Sequence, residues 1–213
     1  MKNRIADMSP RKAARAAGLA FLIMFVFAIL AELLILSKII VEGDAAATIN
    51  NIMASGSLFW AGIAGWLIIL ALDVVVALSL YVVLKQANIN LALLSMVLRL
   101  VYTAIMVIAF LALVLLFPDL FRYGQLIAYI FFISHLFVLG YLVYKSGYIP
   151  KILGAFLMLS AFSYIITVYG DFLLPEEWYN ALFMIAMLPA TFAELALAVW
   201  LLFKNAKIPE MKS

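Results

Sequence analysis

Six long apolar runs decide what this chain can become. They cover residues 13–36, 57–84, 91–117, 124–145, 150–170 and 178–203. Each can cross about 30 Å of hydrocarbon at about 1.5 Å of helix rise per residue. A spanning backbone finds no water in the bilayer core and must satisfy its own N–H and C=O groups, which uninterrupted runs of this kind do as helices. The 213 residues are 69% apolar and 12% charged, against about 45–50% and about 25% in soluble domains. The expected fold class is therefore an all-α integral membrane protein, with one transmembrane domain of six helices over 1–213. The expected location is the cytoplasmic membrane, with membrane lipids as its surroundings.

The breaks between runs carry their own chemistry: Ser55-Gly56-Ser57, Gln86 to Asn90, Phe117-Pro118-Asp119, Ser146-Gly147 before Pro150, and Leu174-Pro175-Glu176-Glu177. Gly and Pro stop helices or start them. The first connection is the longest. There Asp44 reads as an N-cap, and Ile49, Ile52 and Met53 at helical spacing predict a short amphipathic helix. Orientation follows from the basic residues. Lys2, Arg4, Arg11, Lys12, Arg15, Lys85, Lys145, Lys151, Lys204, Lys207 and Lys212 fall on one side, and only Lys38 and Arg122 on the other. Both termini are expected to be cytoplasmic, which makes the short helix extracytoplasmic. The basic tails are explained by topology and call for no nucleic acid. The first run is too long for a cleaved signal and reads as an uncleaved span.

Removing loops and tails leaves Glu32, Asp73, Arg99, Glu194 and the single histidine, His135, inside spans. Each ionised group there costs about 2.5–3.5 kcal/mol on the gentlest scale, so it needs a partner or water. From the span limits, Asp73, Arg99, His135 and Glu194 lie within about 8 Å of their span centres, and Glu32 about 11 Å toward the outer surface. Four spans thus bring a polar group to one layer. Asp73 with Arg99 is the first expected ion pair, and Arg99 can also hold Glu194. His135 is left open between a neutral imidazole and one charged beside a carboxylate. Ser95, Arg99, Tyr102, Thr103 and Met106 share one stripe of the third span. Ser160, Ser163, Tyr164, Thr167 and Asp171 do so on the fifth, and Met184, Met187, Thr191, Glu194 and Ala198 on the sixth. On the first, Gly18, Phe21, Phe25, Ala28 and Glu32 align. Gly62 and Gly65 mark close helix contact.

Several stretches resemble a known family. They are Gly140-Tyr-Leu-Val-Tyr-Lys-Ser-Gly-Tyr-Ile-Pro-Lys-Ile-Leu-Gly154, Gly43-Asp-Ala-Ala-Ala-Thr48, Leu72 to Leu84 around Asp73, Leu98-Arg99-Leu100 and Ala193-Glu194 through Leu202. Together they look like the bacterial membrane family catalogued as domain of unknown function 4386. The resemblance implies the six-span architecture and polar positions at Asp73, Arg99, His135 and Glu194. It implies no activity.

The composition excludes several functions. With no cysteine there are no disulfides, thiolate metal sites, iron–sulfur clusters or cysteine nucleophiles. One histidine cannot ligate haem from both faces, and the spans hold no lysine for a retinal Schiff base. His135 lacks a His-x-x-x-His or Glu-x-x-His partner, so neither metal nor cofactor is expected. The leading expectation is a site for a small or amphipathic ligand, or for protons, built from Asp73, Arg99, His135, Glu194, Tyr102, Thr191 and Glu32. Two other classes remain open. One is an intramembrane lipid-modifying enzyme, in which Ser95, Ser160 or Ser163 approaches His135. The other is a structural membrane protein whose polar cluster fixes helix packing.

Overall fold

A computed structural model describes residues 8–209. Lys2, Arg4 and Lys212 lie outside the described residues, as do the side chains of Asp171, Phe172, Glu176 and Ala206. Among the described residues all regular structure is helical: α1 (Pro10–Ile39), α2 (Ala45–Ser55), α3 (Ser57–Leu84), α4 (Ile89–Val114), α5 (Pro118–Lys145), α6 (Lys151–Leu173), α7 (Glu176–Phe203) and a closing 3-10 turn (Asn205–Lys207). Six of them, α1 and α3 to α7, are long and apolar enough to cross a membrane. Each packs on the next, and α7 returns to α1, closing a ring.

Two boundaries differ from expectation in instructive ways. The fourth span begins at Pro118 rather than 124. Proline suits the first helical position, because its missing N–H is one that the helix start cannot pair anyway and its φ is preset. Arg122 therefore sits on α5 instead of in a loop. The second difference is in α1, whose residues Ile29–Leu36 form a π-helical segment. Its i to i+5 bonding brings residues five apart onto one side. Ala31 and Leu36 are both buried there, against Gly65 and Gly62 of α3. A Cβ on Gly65 would lie 2.7 Å from Ala31 Cβ, and one on Gly62 2.8 Å from Leu36 Cδ2. The change of pitch ends the stripe that Gly18, Phe21, Phe25 and Ala28 begin, and Glu32 is exposed rather than carried inward.

The short helix α2 forms as its cap predicts. Asp44 Oδ1 accepts from Ala47 N at 2.8 Å, and Thr48 Oγ1 both accepts from Val41 N and donates to Val41 O. Asn51 Nδ2 donates to Ile39 O at 3.1 Å, tying α2 to the end of α1. At the other side of the bundle the two chain ends meet. Arg11 Nε donates to Ile208 O at 3.1 Å, and Gln86 Nε2 to Pro209 O at 3.1 Å. Tyr148, in the α5–α6 connection, donates to Val83 O at 2.7 Å. Both ends and these two connections thus share one side, as an even number of spans requires.

Of two expected stripes, that of α7 is only partly kept, and that of α6 faces inward without cross-helix hydrogen bonds from its hydroxyls. On α7, Ala198 is buried and Thr191 and Glu194 are partly so, but Met184 and Met187 are exposed. Pro189 stands between the two groups and removes a rung of the hydrogen-bond ladder that would hold them in register. On α6, Ser160, Ser163 and Thr167 turn back to carbonyls of their own helix, at Leu157, Leu159 and Tyr164. Ser160 and Ser163 are buried inside the bundle, and this local bonding satisfies their hydroxyls without any cross-helix partner.

Candidate functional site

Arg99 is the centre of the polar layer. It stands on α4 and is 1% exposed. Its Nε and Nη2 both donate to Asp73 Oδ1 on α3, at 2.8 and 2.6 Å. Its Nη1 donates to Glu194 Oε1 on α7 at 2.6 Å and lies 3.0 Å from His135 Nε2 on α5. The face of the guanidinium is covered as well, with Cζ 5.1 Å from the ring of Phe21 on α1 and 5.6 Å from that of Phe132 on α5. Five of the six long helices therefore meet on one side chain. A planar fork of five N–H donors can serve that many directions, whereas a lysine ammonium cannot.

Two further hydroxyls complete the arrangement. Thr103 Oγ1, one turn along α4, donates to Asp73 Oδ2, so both oxygens of that carboxylate are engaged. Ser95, one turn the other way, contacts His135 twice: its carbonyl oxygen is 2.8 Å and its Oγ 3.0 Å from Nδ1. The donors fix the imidazole. An arginine N–H can only donate, so Nε2 accepts, and Nδ1 must carry the proton that goes to the Ser95 carbonyl. A protonated Nδ1 cannot take the Ser95 hydroxyl proton. The serine is within reach, yet this hydrogen-bond direction is the reverse of what a general base needs.

The two carboxylates differ in access. The Asp73 side chain is 2% exposed and that of Glu194 20%. Beside Glu194 stands a wall of aromatic rings. Tyr102 packs on Phe132 at 4.7 Å between centroids and on Tyr129 at 5.9 Å, and Tyr164 on Tyr129 at 5.8 Å and on Phe132 at 5.2 Å. Among the described residues no fully sealed polar side-chain atom lacks a partner. The hydroxyls of Tyr102, Tyr129 and Tyr164 make no hydrogen bond, so they open onto accessible space beside the rings.

Asp73, Arg99, His135 and Glu194 thus come together in one bonded group. Tyr102 lies in the adjoining wall, and Thr191, one turn before Glu194, makes no hydrogen bond to the group. Glu32 is apart from it, in a cavity at the end of the bundle away from the chain ends, where its Oε2 accepts from Trp66 Nε1 of α3 at 2.9 Å. Ser95 and Thr103, expected on the Arg99 stripe and, for Ser95, as one of three serines that could approach His135, were outside the leading site although they flank Arg99 at i−4 and i+4, the spacing that stacks side chains on one helix face. Phe21 was expected only on the stripe of its own span, and Phe132 and Tyr129 carried no such signal. An aromatic residue in an apolar span reads as ordinary packing until the neighbouring helix is known.

The sequence profile of the family described as Domain of unknown function (DUF4386) matches residues 16–118 and 111–205. The chain belongs to the DUF4386 family. The matched segments of this DUF4386 chain contain all four members of the central group. An "Uncharacterized protein" of Archaeoglobus fulgidus is 39% identical over 153 residues, which is 71% of this chain and 88% of that protein. No solved structure matches.

Proposed function

We propose that this DUF4386 protein binds a small or amphipathic ligand within the membrane, on the side of the Arg99 centre where Glu194 is open. One observation carries the reading. The Tyr102 hydroxyl, on a residue only 7% exposed, has no hydrogen-bond partner. That hydroxyl opens onto space beside the rings, where an unpaired hydroxyl away from water costs about 1–3 kcal/mol, and a polar group of a ligand removes that cost. The sealed half of the centre, Asp73 with Thr103 and His135 with Ser95, then acts as the support that holds Arg99 and Glu194 in place. Transport or sensing of the ligand follows from such a site more readily than catalysis, because the nitrogen of His135 that faces Ser95 already carries a proton and cannot accept that of the serine.

A density map of the full chain purified from its own membranes tests this. Non-protein density between Glu194 and the hydroxyls of Tyr102 and Tyr164 is expected, and is expected to be lost in Glu194→Gln. An interior filled by protein alone overturns the reading. The charge count supports a second reading. Two carboxylates face one guanidinium, so a proton held at Glu194 would balance the centre, and proton binding becomes the site's task without an organic ligand.

A further inference from the structure

The Glu32 cavity has a volume of about 330 Å³ and opens at the face opposite the chain ends. It lies between the π-helical segment of α1, the connection to α2, and the start of α5. Its charged lining is Glu32, Glu42, Asp44 and Asp119 with Arg122, four carboxylates against one guanidinium. Leu36 and Phe121 supply apolar wall. Glu32 is the one acid within α1, seven residues before its end at Ile39. It is an intramembrane carboxylate whose hydrogen-bond partner is a neutral indole rather than a cation.

Between this cavity and Glu194 stand the tyrosines. Tyr129 stands one turn along α5 from Gln125 of the cavity lining, and its ring stacks on Tyr164, which packs on Phe132 beside the Arg99 guanidinium. Tyr102, a residue only 7% exposed, adds an unpartnered hydroxyl that opens onto the space beside the same row. Surplus negative charge therefore stands at both ends of a row of phenol rings, whose hydroxyl oxygens accept N–H bonds and whose faces attract cations.

We infer that the ligand is a small amine, admitted as its ammonium through the Glu32 cavity and passed along Tyr129 and Tyr164 to Glu194. This rests on the proposed ligand site at Glu194 and adds to it a charge class and an entrance. A cavity of this size, at the lower end for small-molecule pockets, suits a compact amine with one apolar arm.

The test uses two probes of the same apolar body and opposite charge, phenethylamine and 3-phenylpropionate. Their binding to the full chain in lipid nanodiscs is measured calorimetrically against empty nanodiscs. Saturable binding of the amine and none of the acid is expected. Glu32→Gln and the rim variant Asp119→Asn should both weaken the amine, the former by about tenfold or more, and Glu194→Gln and Tyr102→Phe should weaken it as well. Equal binding of both probes, binding of the acid alone, or no binding of the amine overturns the inference. So does amine binding that Glu194→Gln and Tyr102→Phe reduce while Glu32→Gln and Asp119→Asn leave it unchanged, although the Glu194 site then stands. If the two outer variants weaken binding and the two inner ones do not, the amine stops in the Glu32 cavity, and both the route and the inner site fall.

Discussion

Arg99 shows how a single residue can carry much of a membrane fold. Its charge is matched by Asp73 and Glu194, and its guanidinium carbon lies 5.1 and 5.6 Å from the rings of Phe21 and Phe132. Removing one partner of a buried ion pair costs about 3–5 kcal/mol, because the other charge is left behind without compensation. Arg99→Leu leaves two carboxylates unpaired and should lower the thermal midpoint of the detergent-solubilised protein sharply. Arg99→Lys keeps the charge but not the fork, so it should recover only part of that loss. An unchanged midpoint for Arg99→Leu removes the centre from any account of the fold. The partnership of Asp73, Arg99 and Glu194 was legible in the sequence because charges inside apolar runs have few places to go. The role of Ser95 in orienting His135 was not, since it depends on a backbone carbonyl that no side-chain pattern reveals. Tyr148 offers a separate check outside the spans. Burial pushes its phenol up to about 12, and it donates to Val83 O. Its folded value is raised above the unfolded value of about 10, so the stability it contributes is present below pH 10 and is lost as pH rises toward 12. A Tyr148→Phe variant should remove a step near pH 12 from the phenolate absorbance titration, and titration of that step at the ordinary tyrosine value would contradict the burial.

At the scale of elements, close contact is set by glycines where helix backbones meet. A Cβ on Gly154 of α6 would lie 2.5 Å from Tyr144 N and 2.6 Å from Gly140 O, both backbone atoms of α5. Nothing flexible can move aside there. Gly154→Ala should therefore separate α5 from α6 and destabilise the protein by about 1–3 kcal/mol, read as a lower denaturation midpoint. Gly147→Ala meets open space but needs φ of +77, so its penalty is confined to backbone strain of about 1–2 kcal/mol. The variants differ in kind as well: a smaller residue at Met158, whose Cγ lies 2.7 Å from a Cβ placed on Gly140, cannot rescue Gly154→Ala because the obstruction is backbone. The six spans and the cap of α2 were readable because apolar length and Asp44 act locally. The π-helical turn was not readable. It is decided by how Ala31 and Leu36 fit Gly65 and Gly62 on another helix, and that fit displaces Glu32 from the stripe its spacing suggested.

For the whole molecule, the ring of helices makes sidedness a physical property. Among the described residues Arg11, Lys12, Arg15, Lys85, Lys145, Lys151, Lys204 and Lys207 gather where the chain ends meet, while Lys38 and Arg122 lie at the other face with the acidic cavity. Lysine and arginine are retained on the cytoplasmic side during insertion. The basic end should then face the cytoplasm and the acidic cavity the outside, where its field draws in cations before they meet the membrane. The absence of cysteine from the sequence makes this measurable without background. In intact cells a membrane-impermeant maleimide should label Lys38→Cys, on the cavity side, and should leave Lys85→Cys and Lys207→Cys unlabelled until the membrane is opened. Labelling in the reverse order would place the cavity in the cytoplasm. An amine entering through Glu32 would then be leaving the cell rather than arriving, so the same experiment that fixes orientation also fixes the direction in which the proposed route faces.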